Sequence, residues 1–483
     1  MDISFASAGR VAALIKSGQM SALEAADFYI ARIEAFDDAI NAVVVRDFDR
    51  ARTRAKMLDR GRKKLAKLPP LYGVPMTVKE SYDLAGLPTT WGSESARHNV
   101  AAEDALAIKR LKTAGVVILG KTNVPVMLAD WQSFNPVYGT TSNPFDLSRS
   151  PGGSSGGSAA ALAAGFSALE AGSDIGASLR DPAHYCGIYA HKPTYGICSP
   201  RGHSLANNFA PADISCIGPM ARSARDLATA LGVMAGPDEI ETGWKLDLQK
   251  SHIKSPRGLR VAVMAEHQIC PVEAEISSSL RELGKFLKKS GAKVDFAARP
   301  AFDAKAAYEN YLVLLNAALS ARMPDKVLDR MRQMLANASE NDHSAAVLSA
   351  RGNVIEHRLW LRANEARARM RAAWAEFFKE FDVLISPVGA TAAVVHDHSG
   401  NMGERSIVVN GKKLNVADQL FWAGYSCNFG LPSTAAPLGM TAEGLPYGMQ
   451  IIGAPYADYT TIAVAGLLEK AWMGFLPPPV YDI

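Results

Sequence analysis

The sequence predicts one large α/β domain, built on a central mixed, largely parallel twisted sheet with helices covering both faces. Three observations predict it. Short apolar runs rich in β-branched residues alternate with helical patterns of about 10–15 residues, the signature of βα units. The chain has 483 residues and is 48% hydrophobic, enough to bury a large core. No low-complexity linker divides it and no repeat with a period of about 20–50 residues is present, so a single domain is favoured over the two to four domains of about 150 residues that length alone permits.

The elements follow in order. Ser21 stands three residues before Glu24, a capping box, and Leu23, Ala26, Ile30 and Ile33 give one apolar face, so a helix is expected over Met20–Asn41. Leu71–Glu80 is an apolar, strand-like run bounded by Pro69 and Pro70 that ends in Lys79 beside Glu80. Val116–Leu119 is a second buried-strand pattern, punctuated by Gly115 and Gly120. Asp130–Tyr138 is an aromatic loop, read as packing or as a pocket wall, and Ser158–Ala164 as a helix. Helix resumes after Gly218-Pro219 through Met234. Gly258–Met264 and Ala292–Phe296 read as strands flanking an amphipathic helix over Ser277–Ser290. Ala304–Phe381 is helical, with Arg358, Arg362, Arg367, Arg369 and Arg371 interleaved with Glu356, Glu365 and Glu376 as a solvated face. Asp382–Pro387 is a further strand, and the glycine-rich end supplies strands that close the sheet.

Composition excludes several classes of function. A net charge of +4 from 52 basic and 48 acidic residues leaves no nucleic-acid footprint. Cys186, Cys198, Cys216, Cys270 and Cys427 are scattered and odd in number, which suits reduced thiols and a cytoplasmic location. The residues after Met1 lack the pattern of a secretory signal. No run of about 20 apolar residues predicts a membrane span. His343 and His357 lie outside any HExxH or CxxC arrangement, and no metal is assigned.

The stretch Leu147–Gly196 carries the chemistry. Its Gly152–Gly157 turn resembles a flexible linker or a P-loop, but Gly157 is followed by Ser158 where a P-loop requires lysine. The turn delivers Ser154 and Ser155 to a helix start, where the helix dipole favours negative charge. A second small-residue turn, Ser173–Ser178, has the composition to aim successive backbone N–H groups at an oxyanion. Lys79 at a buried strand end could lose its proton and act as a base, because lowering a lysine by three units takes about 4 kcal/mol of desolvation or charge effect. A rival arrangement would pair Ser178 with His184, His191 or His203 and an orienting Asp174 or Asp181, but no GxSxG elbow frames Ser178.

These residues resemble the amidase signature family, through GGSSGGS at Gly152–Ser158, the turn at Asp174–Ala183 and the KPTYG end at Lys192–Gly196. The resemblance extends to Gly73–Glu80, Gly120–Asn123 and Gly444–Gly453, most of the chain. It implies amide hydrolysis by a Ser-cisSer-Lys set, with Ser178 as nucleophile, Ser154 as relay after a cis Gly153–Ser154 bond, and Lys79 as base. It also implies oxyanion donors at Ile175, Gly176 and Ala177, with the Ser178 amide as a further candidate.

Ser155 is expected to support the site by bonding Lys79 or the loop backbone, and Asp174 and Arg180 to stiffen the turn as an ion pair. Ala177 stands where the family has glycine, tolerable with negative φ; Glu80 stands for the usual aspartate and Tyr447 for a small apolar residue. Trp131, Phe134, Tyr138, Phe421 and Trp422 are candidates for an apolar or aryl-friendly pocket. No cofactor is implied. The partners expected are a small-molecule amide and, for the assembly, a homodimer.

The organisation implied is N-terminal helices over 1–60, the catalytic core over 61–235, a helical substrate-side region over 236–380 and closing strands over 381–483. A second functional reading is the glutaminase subunit of a tRNA-dependent amidotransferase. That subunit carries Asp-Gln before the Gly-Pro corresponding to Gly218-Pro219, where this chain has Ser215-Cys216-Ile217.

Overall fold

A computed structural model describes residues 1–204 and 209–481. Three strands, β1 (Val43–Arg46), β2 (Pro75–Lys79) and β3 (Val117–Thr122), form a small sheet in the order β1-β3-β2, with β2 and β3 parallel. The large sheet contains β4 (Glu170–Asp174), β5 (Tyr189–Lys192), β6 (Cys216–Ala221), β7 (Arg260–Val263), β8 (Lys293–Asp295), β9 (Val383–Pro387), β10 (Ser433–Met440) and β11 (Pro446–Gly453). Its order is β8-β7-β9-β11-β10-β5-β6-β4.

The sheet is mixed, as expected, but its neighbours are mostly antiparallel, which corrects the largely parallel expectation. Only β8/β7 and β7/β9 run parallel; the other pairs are antiparallel. Parallel neighbours need a crossover, which the helix Ala274–Lys289 supplies between β7 and β8. A short turn joins β10 to β11, forcing them antiparallel, and the pair inserts between β9 and β5. Strand and helix alternation along the chain does not reveal that insertion. Nor is the 236–380 region set apart from the sheet, because β7 and β8 come from it.

The capping box forms as predicted: Glu24 N donates to Ser21 Oγ at 3.0 Å and Ser21 N donates to Glu24 Oε2 at 2.7 Å. The helix Ala22–Ile40 then ends at Asn41 in the left-handed region. In the long helix His357–Glu380 only Trp374 and Phe377 are buried. Its arginines are mostly solvated, but Arg367 is drawn inward to Asp213 at 2.9 Å. No helix among the described residues is long and apolar enough to cross a membrane.

Two features position the site. The helix Gly156–Ala163 is buried over its whole length, which explains its Gly, Ala and Ser composition. A Cβ on Gly157 would meet the Asn123 backbone, so the helix can lie this close only without one. The second feature joins the sheets: Met76 and Leu169 form a parallel bridge, and Thr77 N donates to Leu169 O at 3.4 Å. This contact sets the end of β2, with Lys79, beside β4 and the turn that follows it.

Candidate active site

Lys79 is the last residue of β2 and is fully buried. Its Nζ donates to Ser154 Oγ at 2.6 Å and to Ser173 Oγ at 2.9 Å. Burial pulls the ammonium down to about 7, against the opposing pull of Asp174 and Glu170. The structure thus brings Lys79 and Ser154 together. Ser173 was missed from sequence as a partner of the amine: it lies on β4, and nothing in the sequence says that β4 runs beside β2.

The Gly153–Ser154 peptide bond is cis. The surrounding turn is held by Ser133, whose Oγ donates to Gly152 O at 3.0 Å and accepts from Gly156 N at 3.1 Å. Gly153 N donates to Asp181 Oδ2 at 3.0 Å. Ser155 N donates to Ser178 O at 3.2 Å, tying the two serine turns together. The Ser155 hydroxyl bonds the Ser173 backbone, at 3.4 Å to both its O and its N. It therefore takes the backbone alternative, and the hydroxyl that joins Ser154 beside Lys79 is that of Ser173.

The second turn leaves β4 at Asp174. Arg180 meets Asp174 through Nε at 2.9 Å and Nη2 at 3.0 Å, both side chains wholly buried. Arg180 Nη1 donates to Gln450 Oε1 at 2.6 Å and Ser426 Oγ at 2.9 Å, and Nη2 also reaches Cys427 Sγ at 3.0 Å. Burial pushes the Asp174 carboxyl up, but Arg180, Lys192 and the Cys427 thiol together outweigh it and hold the group below the usual carboxylate range. Asp174 also accepts from Ala177 N at 2.9 Å and Leu179 N at 3.2 Å.

Two expectations for Ala177 are corrected. Its φ is +71°, in the left-handed region that costs an L residue about 1–2 kcal/mol, rather than negative. Its amide is committed to Asp174, so it does not join the free donors. The amides of Ile175, Gly176 and Ser178 have no hydrogen-bond partner among the described residues. The turn's carbonyls are pinned instead: Trp131 Nε1 donates to Gly176 O at 2.7 Å and Tyr311 Oη to Ile175 O at 2.9 Å.

Ser178 itself is 5% exposed. The histidines of the rival arrangement are occupied elsewhere. His184 accepts from Gly448 N at Nδ1, at 2.7 Å, and donates from Nε2 to Thr391 O at 2.8 Å, and the ring nitrogens of His191 meet Thr434 and Asp458. His203 Nε2 lies 2.9 Å from Ser81 Oγ.

Of the aromatic candidates, Trp131 packs with Ala177, Tyr311 and Leu420 around the Ile175–Ser178 turn. Tyr138 turns its hydroxyl to Glu80 at 3.1 Å, Phe134 stacks on His398, and Phe421 and Trp422 belong to the main core. Tyr311, on the helix Ala304–Leu319, was missed because an apolar helical pattern hides which tyrosine faces the turn. Glu80 carries its bonds away from the site, accepting from Thr90 N at 2.6 Å and Trp91 N at 2.9 Å. Tyr447 sits opposite Gly439 and bonds Ser279 at 2.9 Å, so the larger side chain is housed by a glycine across the ladder.

A family model described as Amidase matches residues 24–462. The chain is 31% identical to an indoleacetamide hydrolase of Bradyrhizobium diazoefficiens, over 96% of this chain and 86% of that protein. It is also 31% identical to one of the subunits of the glutamyl-tRNA(Gln) amidotransferase of Streptomyces coelicolor, over 81% of this chain and 82% of that one. Among solved structures, a bacterial aryl acylamidase of the amidase signature enzymes superposes with a TM-score of 0.81 at 26% identity, covering 97% of this chain and 96% of the other.

Proposed function

The chain belongs to the amidase signature family, hydrolases acting on carbon–nitrogen bonds, and on that premise we propose that it cleaves a small carboxylic amide through an acyl-serine intermediate. The observation that carries this reading is the buried Lys79 amine, 2.6 Å from Ser154 Oγ and pulled down to about 7. A neutral amine accepts the Ser154 proton while Ser154 takes that of Ser178, whose Oγ attacks the carbonyl carbon. The amides of Ile175, Gly176 and Ser178 receive the oxyanion, an effect worth about 10²–10³ in rate per donor. The proton returns through Ser154 to the leaving nitrogen as the C–N bond breaks. Water then attacks the acyl-serine with the same base, releasing the carboxylic acid and free Ser178.

An apolar or aryl amide is the substrate class this reading favours, with anilides, cyclic amides and carbamates within it. The cluster of Trp131, Ala177, Tyr311 and Leu420 at the turn supports it, as do the names of the similar indoleacetamide hydrolase and aryl acylamidase. The similarity to an amidotransferase component favours a second reading, a glutaminase subunit, against which stands Ser215-Cys216-Ile217 in place of Asp-Gln. A panel of aryl, alkyl and cyclic amides, carbamates and glutamine separates the two. Turnover of aryl amides by the chain alone, falling about 10²–10⁴-fold in Lys79→Ala, is expected. Hydrolysis of glutamine alone would favour the amidotransferase reading, and equal turnover by Lys79→Ala would remove the lysine base.

A further inference from the structure

A second ionisable group is buried beside the site and has no role in the reaction as written. Glu170 opens β4 and is 1% exposed. The hydroxyls of Thr77, Thr122 and Ser158 lie against its carboxyl, and its Oε2 accepts from Ala171 N at 2.9 Å. Yet the Thr77 hydroxyl approaches without forming a hydrogen bond of ordinary geometry, and Glu170 Oε1 and Thr77 Oγ1 are both buried with no such bond among the described residues. A buried carboxylate in that state is expensive, and an acid that keeps its proton is the cheaper form.

The elements packed around Glu170 leave Lys79 as its cationic neighbour. β3 contributes Lys121, but that amine turns away to Pro88 O and Thr89 Oγ1. The helix Gly156–Ala163 carries no ionisable residue. β6 carries Cys216, at the far end of the ladder opposite Asp174, and is followed by Arg222, whose guanidinium is taken by the carbonyls of Leu162, Ser167 and Ala6. Tyr82 is the other titratable group facing Glu170, and its Oη is spent on Gly172 O at 2.6 Å. Lys79 donates to Ser154 and Ser173, and no ion pair joins it to Glu170 among the described residues. Two buried groups of opposite type that interact without touching gain little as an ion pair and cost less as neutral amine and neutral acid.

We propose that Glu170 is a positioning residue for the hydrolysis proposed above, one whose protonation state sets the basicity of Lys79. In its neutral form it leaves the amine free to take the Ser154 proton. When it ionises, the carboxylate stabilises the ammonium that forms on Lys79 during attack and makes the amine a stronger base. Burial pushes the carboxyl up to about 8, against the Thr77, Thr122 and Ser158 hydroxyls and the Ala171 amide that pull it down.

This rests on Lys79 acting as the base, and the test keeps the two apart. The dependence of kcat/KM on pH is measured with a neutral amide substrate for the wild type, Glu170→Gln, Thr77→Val and Lys79→Ala. The wild type is expected to show a second, upward inflection near pH 8, where Glu170 titrates, and Glu170→Gln to lack it. Thr77→Val, which removes a hydroxyl that favours the ionised carboxyl, is expected to move that inflection to higher pH, and it serves if Glu170→Gln fails to fold. A structural role alone would scale the whole profile without changing its shape. Profiles of the same shape in the wild type and Glu170→Gln, or in the wild type and Thr77→Val, would overturn the assignment. An active Lys79→Ala would instead overturn the base on which it rests.

Discussion

The turn at Gly152–Ser155 is shaped by the absence of side chains, whereas the turn at Ile175–Ser178 is shaped by side chains that reach it from other elements. In the first, a Cβ on Gly153 would run into the backbone of Asp130 and Trp131, and Gly152 adopts a φ of +88°. In the second, Asp174 gathers two amides and a guanidinium, while Trp131 and Tyr311 hold the carbonyls. The first turn is thus specified by what cannot be added, and the second by what cannot be removed. Holding carbonyls and one amide in fixed bonds orients the remaining amides; in the proposed mechanism this is the preorganisation on which oxyanion binding depends.

The difference can be broken from either side. Asp174→Asn leaves Arg180 buried without its counter-charge and is expected to cost about 3–5 kcal/mol of stability; a thermal melt within a degree of the wild type would mean that the pair does not hold the second turn. Gly153→Ala, on the other side, overpacks the first turn and should cost about 1–3 kcal/mol in chemical denaturation. Its kcat should fall as well, because Ser154 follows directly. Trp131→Phe keeps an aromatic side chain but leaves Gly176 O without its donor, an effect of about 1 kcal/mol, read as a loss in kcat larger than any change in KM. Ala177→Gly relieves a left-handed residue but gives up a buried methyl and adds freedom to the unfolded chain, so a change under about 1 kcal/mol is expected. A large loss in this last variant would show that the methyl's packing against Trp131 and Tyr311 governs the turn.

The first turn was the more legible in the sequence, and the physical reason is the same contrast. Glycines that must be glycine leave a mark in the chain itself, and the short run from Gly152 to Ser158 shows where the backbone approaches closely. The residues that hold the second turn come from Trp131, Tyr311, Ser426 and Gln450, far apart in sequence, and only the fold brings them together. Asp174 and Arg180 were within reach because they lie on one turn. The sign of φ at Ala177 was not, because the composition of a small-residue turn does not say which of its amides will turn back onto Asp174. The sheet divides in the same way: β2, β7 and β9 were visible as apolar runs, but the insertion of β10 and β11 between β9 and β5 is a matter of pairing that no local pattern records. Lys79 was legible as a strand-end lysine, whereas Ser173 and Glu170 depend on β4 lying next to β2.

The central claim, that Ser178 is the nucleophile of an acyl-serine mechanism, is tested most directly by intact-mass spectrometry after incubation with a fluorophosphonate. The wild type is expected to gain one phosphonyl adduct, mapped to the peptide that carries Ser178, and Ser178→Ala to gain none while losing amide hydrolysis. A Ser178→Ala protein that still takes up the label and still turns over amide would contradict the account.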